Sequence, residues 1–129
     1  MSEETAETRR PATPTRVTSS LHFEELMRGF GTVVPVVLQF TAPWCRRCVT
    51  LKQEMAEAFD DELRWLTVDI DELQELSERF NVSQLPRFDV YFGGHTDSVE
   101  AFDATVEAVQ AMLEHAVRDR PALDLDAEF

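Results

Sequence analysis

Trp44-Cys45-Arg46-Arg47-Cys48 contains both cysteines of the chain, and what stands on either side of it decides the fold. Upstream, Val33-Val34-Pro35-Val36-Val37-Leu38-Gln39-Phe40 is continuously apolar and β-branched up to Gln39, the pattern of a strand buried on both faces. Pro35 falls near its start, where a missing donor is tolerated. Downstream, positions 49–59 set Leu51, Met55 and Phe59 on one helical face and Lys52, Gln53, Glu54 and Glu57 on the other. Thr41-Ala42-Pro43 supplies the turn between them. A helix that begins near Cys45 holds that thiol at the positive end of its dipole, beside free backbone N–H groups that favour a thiolate. Cys48 follows one turn later on the same face, within disulfide reach. The pattern predicts dithiol–disulfide exchange, with Cys45 attacking a disulfide and Cys48 resolving the mixed disulfide. In open α/β sheets, sites lie beyond the carboxyl ends of central strands, and this junction is such a place.

Two plainer explanations of the cysteine pair compete with this one. A CxxC is often half of a zinc site, but a closed site needs four ligands, and only His22, His95 and His115 remain to complete it, at spacings that suggest no ligand set. No metal is expected. A pair of inert buried thiols is the other option, and two arginines between them argue against a core position.

Composition bounds the rest. A chain of 129 residues with 43% hydrophobic content predicts one domain with an ample core. Its 25 acidic and 12 basic side chains leave a net charge of −13, which opposes nucleic-acid and anionic-membrane binding. No apolar run approaches the roughly 18 residues of a membrane span, and the first residues hold no signal-peptide core. A soluble protein of a reducing compartment is expected, in which the cysteine pair cycles. Arg9, Arg10 and Arg16 among hydroxyls suit an organelle transit peptide, whereas Glu3, Glu4 and Glu7 do not, so the cytoplasm is preferred over an organelle.

In chain order, positions 1–20 are rich in Thr, Ser, Pro, Glu and Arg and read as a flexible tail. Leu21, Phe23, Leu26, Met27 and Phe30 then mark a short helix capped by Ser19 or Ser20 and stopped by Gly29 to Gly31. After the cysteine helix, 63–70 predicts a second buried strand, and Asp71-Glu72 opens a helix with Leu73, Leu76 and Phe80 inward. Beyond Pro86 the period changes to two, with Phe88, Val90 and Phe92 on one face; Gly93-Gly94 marks a hairpin, and 98–102 pairs back. Asp103 is expected to cap a last helix whose stripe is Val106, Val109, Leu113 and Val117. An acidic tail fills 119–129.

One domain is expected over 21–118, and from about Leu21 to Val117 these residues resemble the thioredoxin family. The resemblance is carried by the strand into Trp44-Cys-x-x-Cys48, Val68-Asp69-Ile70-Asp71, Leu85-Pro86 before an alternating strand, and Gly94 at the hairpin. At the cysteines the chain is similar to the Trp-Cys-Arg-Lys-Cys group of plant chloroplasts. The resemblance implies an α/β thioredoxin-like fold: a central mixed β-sheet flanked by helices, with a C-terminal β-hairpin and helix. It also implies a cis bond before Pro86, which sits against Cys45 in a groove for a substrate chain shaped by Trp44, Leu85 and Pro86.

Three departures stand out. Arg46 and Arg47 replace the family's Gly-Pro, Gln39 stands where the family has a buried aspartate behind the resolving cysteine, and Phe102-Asp103 occupy a loop that normally carries glycine. An amide cannot perform the proton transfer usually assigned to that aspartate, so protons must reach Cys48 by water or another group. Arg87 follows the proline and, with Arg46 and Arg47, is expected to form a basic rim that binds acidic or phosphorylated partners or glutathione. Such a rim stabilises a thiolate and makes the disulfide a better oxidant. The expected function is a monomeric thiol–disulfide oxidoreductase acting on protein disulfides without a cofactor, its electrons supplied by a reductase, a dithiol protein or glutathione. A thioredoxin-like binding module or a redox sensor with little turnover is the alternative.

Overall fold

The computed structural model describes residues 10–29 and 34–118. Their elements run β1 (Thr15–Arg16), α1 (Ser20–Gly29), β2 (Val36–Thr41), α2 (Arg46–Ala58), β3 (Arg64–Asp69), α3 (Gln74–Arg79), β4 (Arg87–Phe92), β5 (His95–Glu100), a 3₁₀ turn (Ala101–Asp103) and α4 (Val106–Arg118). The sheet order is β1-β3-β2-β4-β5. β3 lies parallel to both β1 and β2, while β4 is antiparallel to β2 and β5, which makes the sheet mixed as expected.

β2 is the central strand, with all residues from Val36 to Phe40 buried. Its side chains alternate between two cores, as the two-residue period of a strand requires. Val37 joins Leu51 and Met55 of α2, Trp65 and Val109 of α4 on one face; Val36, Leu38 and Phe40 join Phe23 of α1, Val68 and Leu76 of α3 on the other. Gln39 falls on the same side as Val37, beneath the cysteines.

The expected flexible tail over 1–20 is corrected from Arg10 onward. Thr15 and Arg16 pair with Leu66 and Thr67, Val17 N–H donates to Thr67 O at 2.9 Å, and Ala12 and Val17 are buried. An edge strand is held through backbone groups, so a stretch with few large apolar side chains still closes the open edge of β3. Positions 1–9 and 119–129, with Phe30, Gly31 and Val33, lie outside the described residues.

Three further boundaries differ. α3 opens at Gln74, because Asp69 Oδ1 accepts from the N–H groups of Asp71 and Glu72 and turns the chain first. Thr105, not Asp103, caps α4: its hydroxyl accepts from Ala108 N–H at 3.1 Å. The buried face of α4 is Val106, Val109 and Met112, with Leu113 partly covered and Val117 exposed. β5 begins at His95, directly after the two-residue turn in which Gly93 and Gly94 take φ of 59° and 87°. Both glycines lie in the left-handed region that a tight hairpin requires.

Candidate active site

The cysteines sit where the central strand hands over to α2. Cys45 is the N-cap residue of α2, and its Sγ accepts from the backbone N–H of Cys48 at 3.1 Å. A sulfur at this position meets the donors that a helix leaves unpaired in its first turn. Cys45 and Cys48 are joined as a disulfide with a Cα–Cα distance of 5.3 Å. Cys45 retains 7% exposure and Cys48 has none, so an incoming group meets Cys45 first. Cys48 Sγ lies 3.9 Å from the Phe40 carbonyl oxygen.

Gln39 lies behind this pair, fully buried. Its amide donates to Cys48 O at 3.2 Å and its carbonyl accepts from Trp65 Nε1–H at 3.1 Å. Both ends are therefore occupied, and the group carries no titratable proton.

Trp44 is 65% exposed beside Cys45, and its indole N–H donates to Asp71 Oδ2 at 3.1 Å. Asp71, expected from the sequence only to open a helix, is thereby brought to the site. No local pattern marks Asp71, which lies 27 positions from the indole it accepts from. The Leu85–Pro86 bond is cis, as the family resemblance implies. Pro86 O accepts from Ala101 N–H at 2.8 Å, which ties the proline turn to the loop before α4.

The three arginines separate. Arg47 spans that same loop, with Nη1 donating to Ala101 O at 2.8 Å and Nη2 to Ala104 O at 3.1 Å. Arg46 is exposed and has no side-chain partner among the described residues. Arg87 does not belong to a rim, which corrects the expectation: it forms a two-pronged ion pair with buried Asp89, at 2.9 and 3.1 Å, and donates to Phe80 O. Its hydrogen bond to Asp89 holds the guanidinium above its ordinary pKa. Among the described residues, Arg46 keeps its charge without a side-chain partner, and Arg47, bonded only to neutral carbonyls, keeps its charge at the border of the same cleft.

Trp44, Cys45, Arg46, Leu85, Pro86 and Phe102 line one cleft of about 270 Å³. A larger cavity of about 550 Å³, bordered by Thr50, Glu54, Glu57 and Glu107, contains neither cysteine. Among the described residues no group of three or more His, Cys, Asp or Glu side chains is placed to hold a metal ion. No helix among them is long and apolar enough to cross a membrane.

The chain is similar to known proteins in sequence and fold. The sequence model of the family described as Thioredoxin matches residues 15–117. Thioredoxin-1 of Caenorhabditis elegans is 32% identical over 98 residues, covering 72% of this chain and 82% of that protein. Chloroplastic thioredoxin Y of Oryza sativa subsp. japonica is 26% identical over 97 residues, which is 67% of this chain and 58% of that protein. The crystal structure of the reduced Schistosoma mansoni thioredoxin pre-protein superposes with a TM-score of 0.68 at 25% identity, covering 81% of this chain and 98% of that one. With a dithiol pair at the strand–helix junction, a cis proline and these relatives, the chain belongs to the thioredoxin family of thiol–disulfide oxidoreductases.

Proposed function

We propose that the reduced chain reduces protein disulfides, with Cys45 as nucleophile and Cys48 as resolving thiol. The observation that carries this reading is the asymmetry of the pair: Cys45 Sγ receives a backbone N–H and reaches solvent, while Cys48 is enclosed. Cys45 thiolate attacks one sulfur of the substrate disulfide, forming a mixed disulfide and releasing the other sulfur as a thiolate. Cys48 thiolate then attacks Cys45 Sγ, expels the second substrate thiolate and closes the Cys45–Cys48 bond. Two electrons pass to the substrate, and water supplies the protons its thiols take up. Gln39 holds Cys48 by its backbone and takes no part as an acid or base, so the proton of Cys48 leaves to solvent or substrate thiolate.

Trp44, Leu85 and Pro86 bind the substrate chain, Arg46 adds a cation that suits an acidic segment, and Arg47 acts on the groove through the loop it holds. Electrons return from a reductase, a dithiol protein or glutathione. The folded unit spans 10–118, functions as a monomer and works in redox homeostasis of the cytoplasm, with an organelle as the second possibility. It does not engage nucleic acid or membranes, in keeping with a net charge of −13. Family membership favours turnover over a binding module or redox sensor.

The experiment is reduction of insulin disulfides with dithiothreitol as electron source. The wild-type chain is expected to accelerate it, Cys45→Ser to abolish the acceleration, and Cys48→Ser to accumulate a mixed disulfide through Cys45 visible by non-reducing mass spectrometry. A Cys48→Ser chain that captures substrate through no cysteine contradicts the assignment of roles.

A further inference from the structure

Phe102 is 92% exposed, more than any other large apolar side chain described, yet it stands in the wall of the active cleft. A collapsed loop would tuck such a ring away, and this loop is held open at three points. Ala101 N–H donates to Pro86 O at 2.8 Å, and the two arms of the Arg47 guanidinium take Ala101 O and Ala104 O at 2.8 and 3.1 Å. The two carbonyls bracket Phe102 in sequence. Ala101 takes φ of 59°, a conformation disfavoured for a residue with a Cβ and retained here by bonds on both its N–H and its C=O.

We propose that Arg47 is a positioning residue that straps the 101–104 loop so that Phe102 stands as an apolar post at the cleft. The post selects protein disulfides whose attacked cysteine is flanked by an aromatic or large aliphatic side chain and by an acidic one. The inference deepens the reading of Cys45 as nucleophile and rests on it. Three observations specify the occupant. The lining around Cys45 is mainly apolar, from Trp44, Leu85, Pro86 and Phe102. Its volume of about 270 Å³ compares with the roughly 150 Å³ cavity that takes up benzene, leaving room for about one ring-sized side chain beside the reacting sulfur. Arg46, at the same cleft, is a cation with no partner among the described residues on a chain of net charge −13, so complementarity favours an acid there.

The test uses the full-length chain, reduced with dithiothreitol and freed of it. Three octapeptides differ only beside a single cysteine, which is flanked by Phe and Glu, by Ser and Glu, or by Phe and Lys. Each cysteine is capped as a mixed disulfide with 5-thio-2-nitrobenzoate, whose release is followed by absorbance. Wild-type chain is expected to react about three- to tenfold faster with Phe–Glu than with Ser–Glu, the range for one aromatic contact. It should prefer Phe–Glu over Phe–Lys by about two- to fivefold, the range for an exposed ion pair. Phe102→Ser should bring the Phe/Ser ratio close to one. Arg47→Ala should do the same, the double variant should add nothing, and Arg47→Lys, which lacks the planar fork, should not restore it. Equal wild-type rates with the three peptides, or a ratio that survives Phe102→Ser, overturn the inference and leave the redox reading intact. A wild-type chain that releases chromophore from no peptide and does not reduce bis(2-hydroxyethyl) disulfide removes both.

Discussion

Gln39 shows how one buried side chain sets the chemistry available to its neighbours. Fully enclosed, it spends its donor on Cys48 O and its acceptor on Trp65 Nε1–H, so it fixes the backbone of the resolving cysteine and satisfies an indole in the core. A carboxylate here would carry a proton; the amide carries structure instead. Gln39→Leu keeps the volume but leaves the Trp65 indole N–H without its acceptor in a site closed to water. The expected loss is about 1–3 kcal/mol of folding free energy, read as a lower urea midpoint at unchanged slope. A midpoint equal to that of the parent chain would show that the Gln39–Trp65 bond contributes nothing. Trp44, 65% exposed at the cleft, is anchored by one hydrogen bond from its indole N–H to Asp71.

At the level of elements, β4 carries a pair that the cleft does not use. Arg87 and Asp89 point to the same face of the strand two residues apart, with 13% and 1% of their side chains exposed. The guanidinium also stacks over Phe40 at 5.5 Å and donates to Phe80 O, linking β4 to the end of α3. Removing only the cation strands a buried carboxylate. Arg87→Leu is therefore expected to cost about 3–5 kcal/mol, whereas Arg87→Leu with Asp89→Leu should recover most of that loss. Urea unfolding of the two variants decides the matter: equal losses would mean that the charge pairing is not what matters at this position.

The same scale explains what was legible in the sequence. β2 and α2 could be read because one is a continuous apolar run and the other repeats every three to four residues, with the cysteines at their junction. β1 and the first half of β5 could not. Both are edge strands whose side chains are largely exposed, and they are held by backbone pairing that leaves no hydrophobic period. Asp103 and Thr105 are both credible caps by residue type, and only the 3₁₀ turn over Ala101–Asp103 moves the helix start past the first. The contacts of Trp44 with Asp71 and of Arg47 with Ala101 join residues 27 and 54 positions apart, so no local pattern announces them. The grouping of three arginines into one rim failed for a different reason: Asp89, two residues away on the same face of β4, neutralises Arg87, and that spacing was open to a local reading.

Across the whole molecule, an acidic chain places cationic side chains beside its reactive sulfur. The N-cap position of Cys45, the Cys48 N–H on its Sγ and the guanidinium groups of Arg46 and Arg47 in the first turn of α2 all favour the thiolate over the thiol. Stabilising the thiolate stabilises the reduced pair and raises its potential, and the absence of Arg87 from the rim reduces the number of cations without changing the sign. The most direct measurement is the reduction potential of Cys45–Cys48, obtained by equilibrating the chain against glutathione couples at pH 7 and following tryptophan fluorescence, with Cys48→Ser as control. A reversible two-electron transition is predicted, at a potential above the value of about −270 mV found for thioredoxin. A transition below that value would contradict the electrostatic account, and no transition at all would contradict the assignment of Cys45 and Cys48 as a working redox pair.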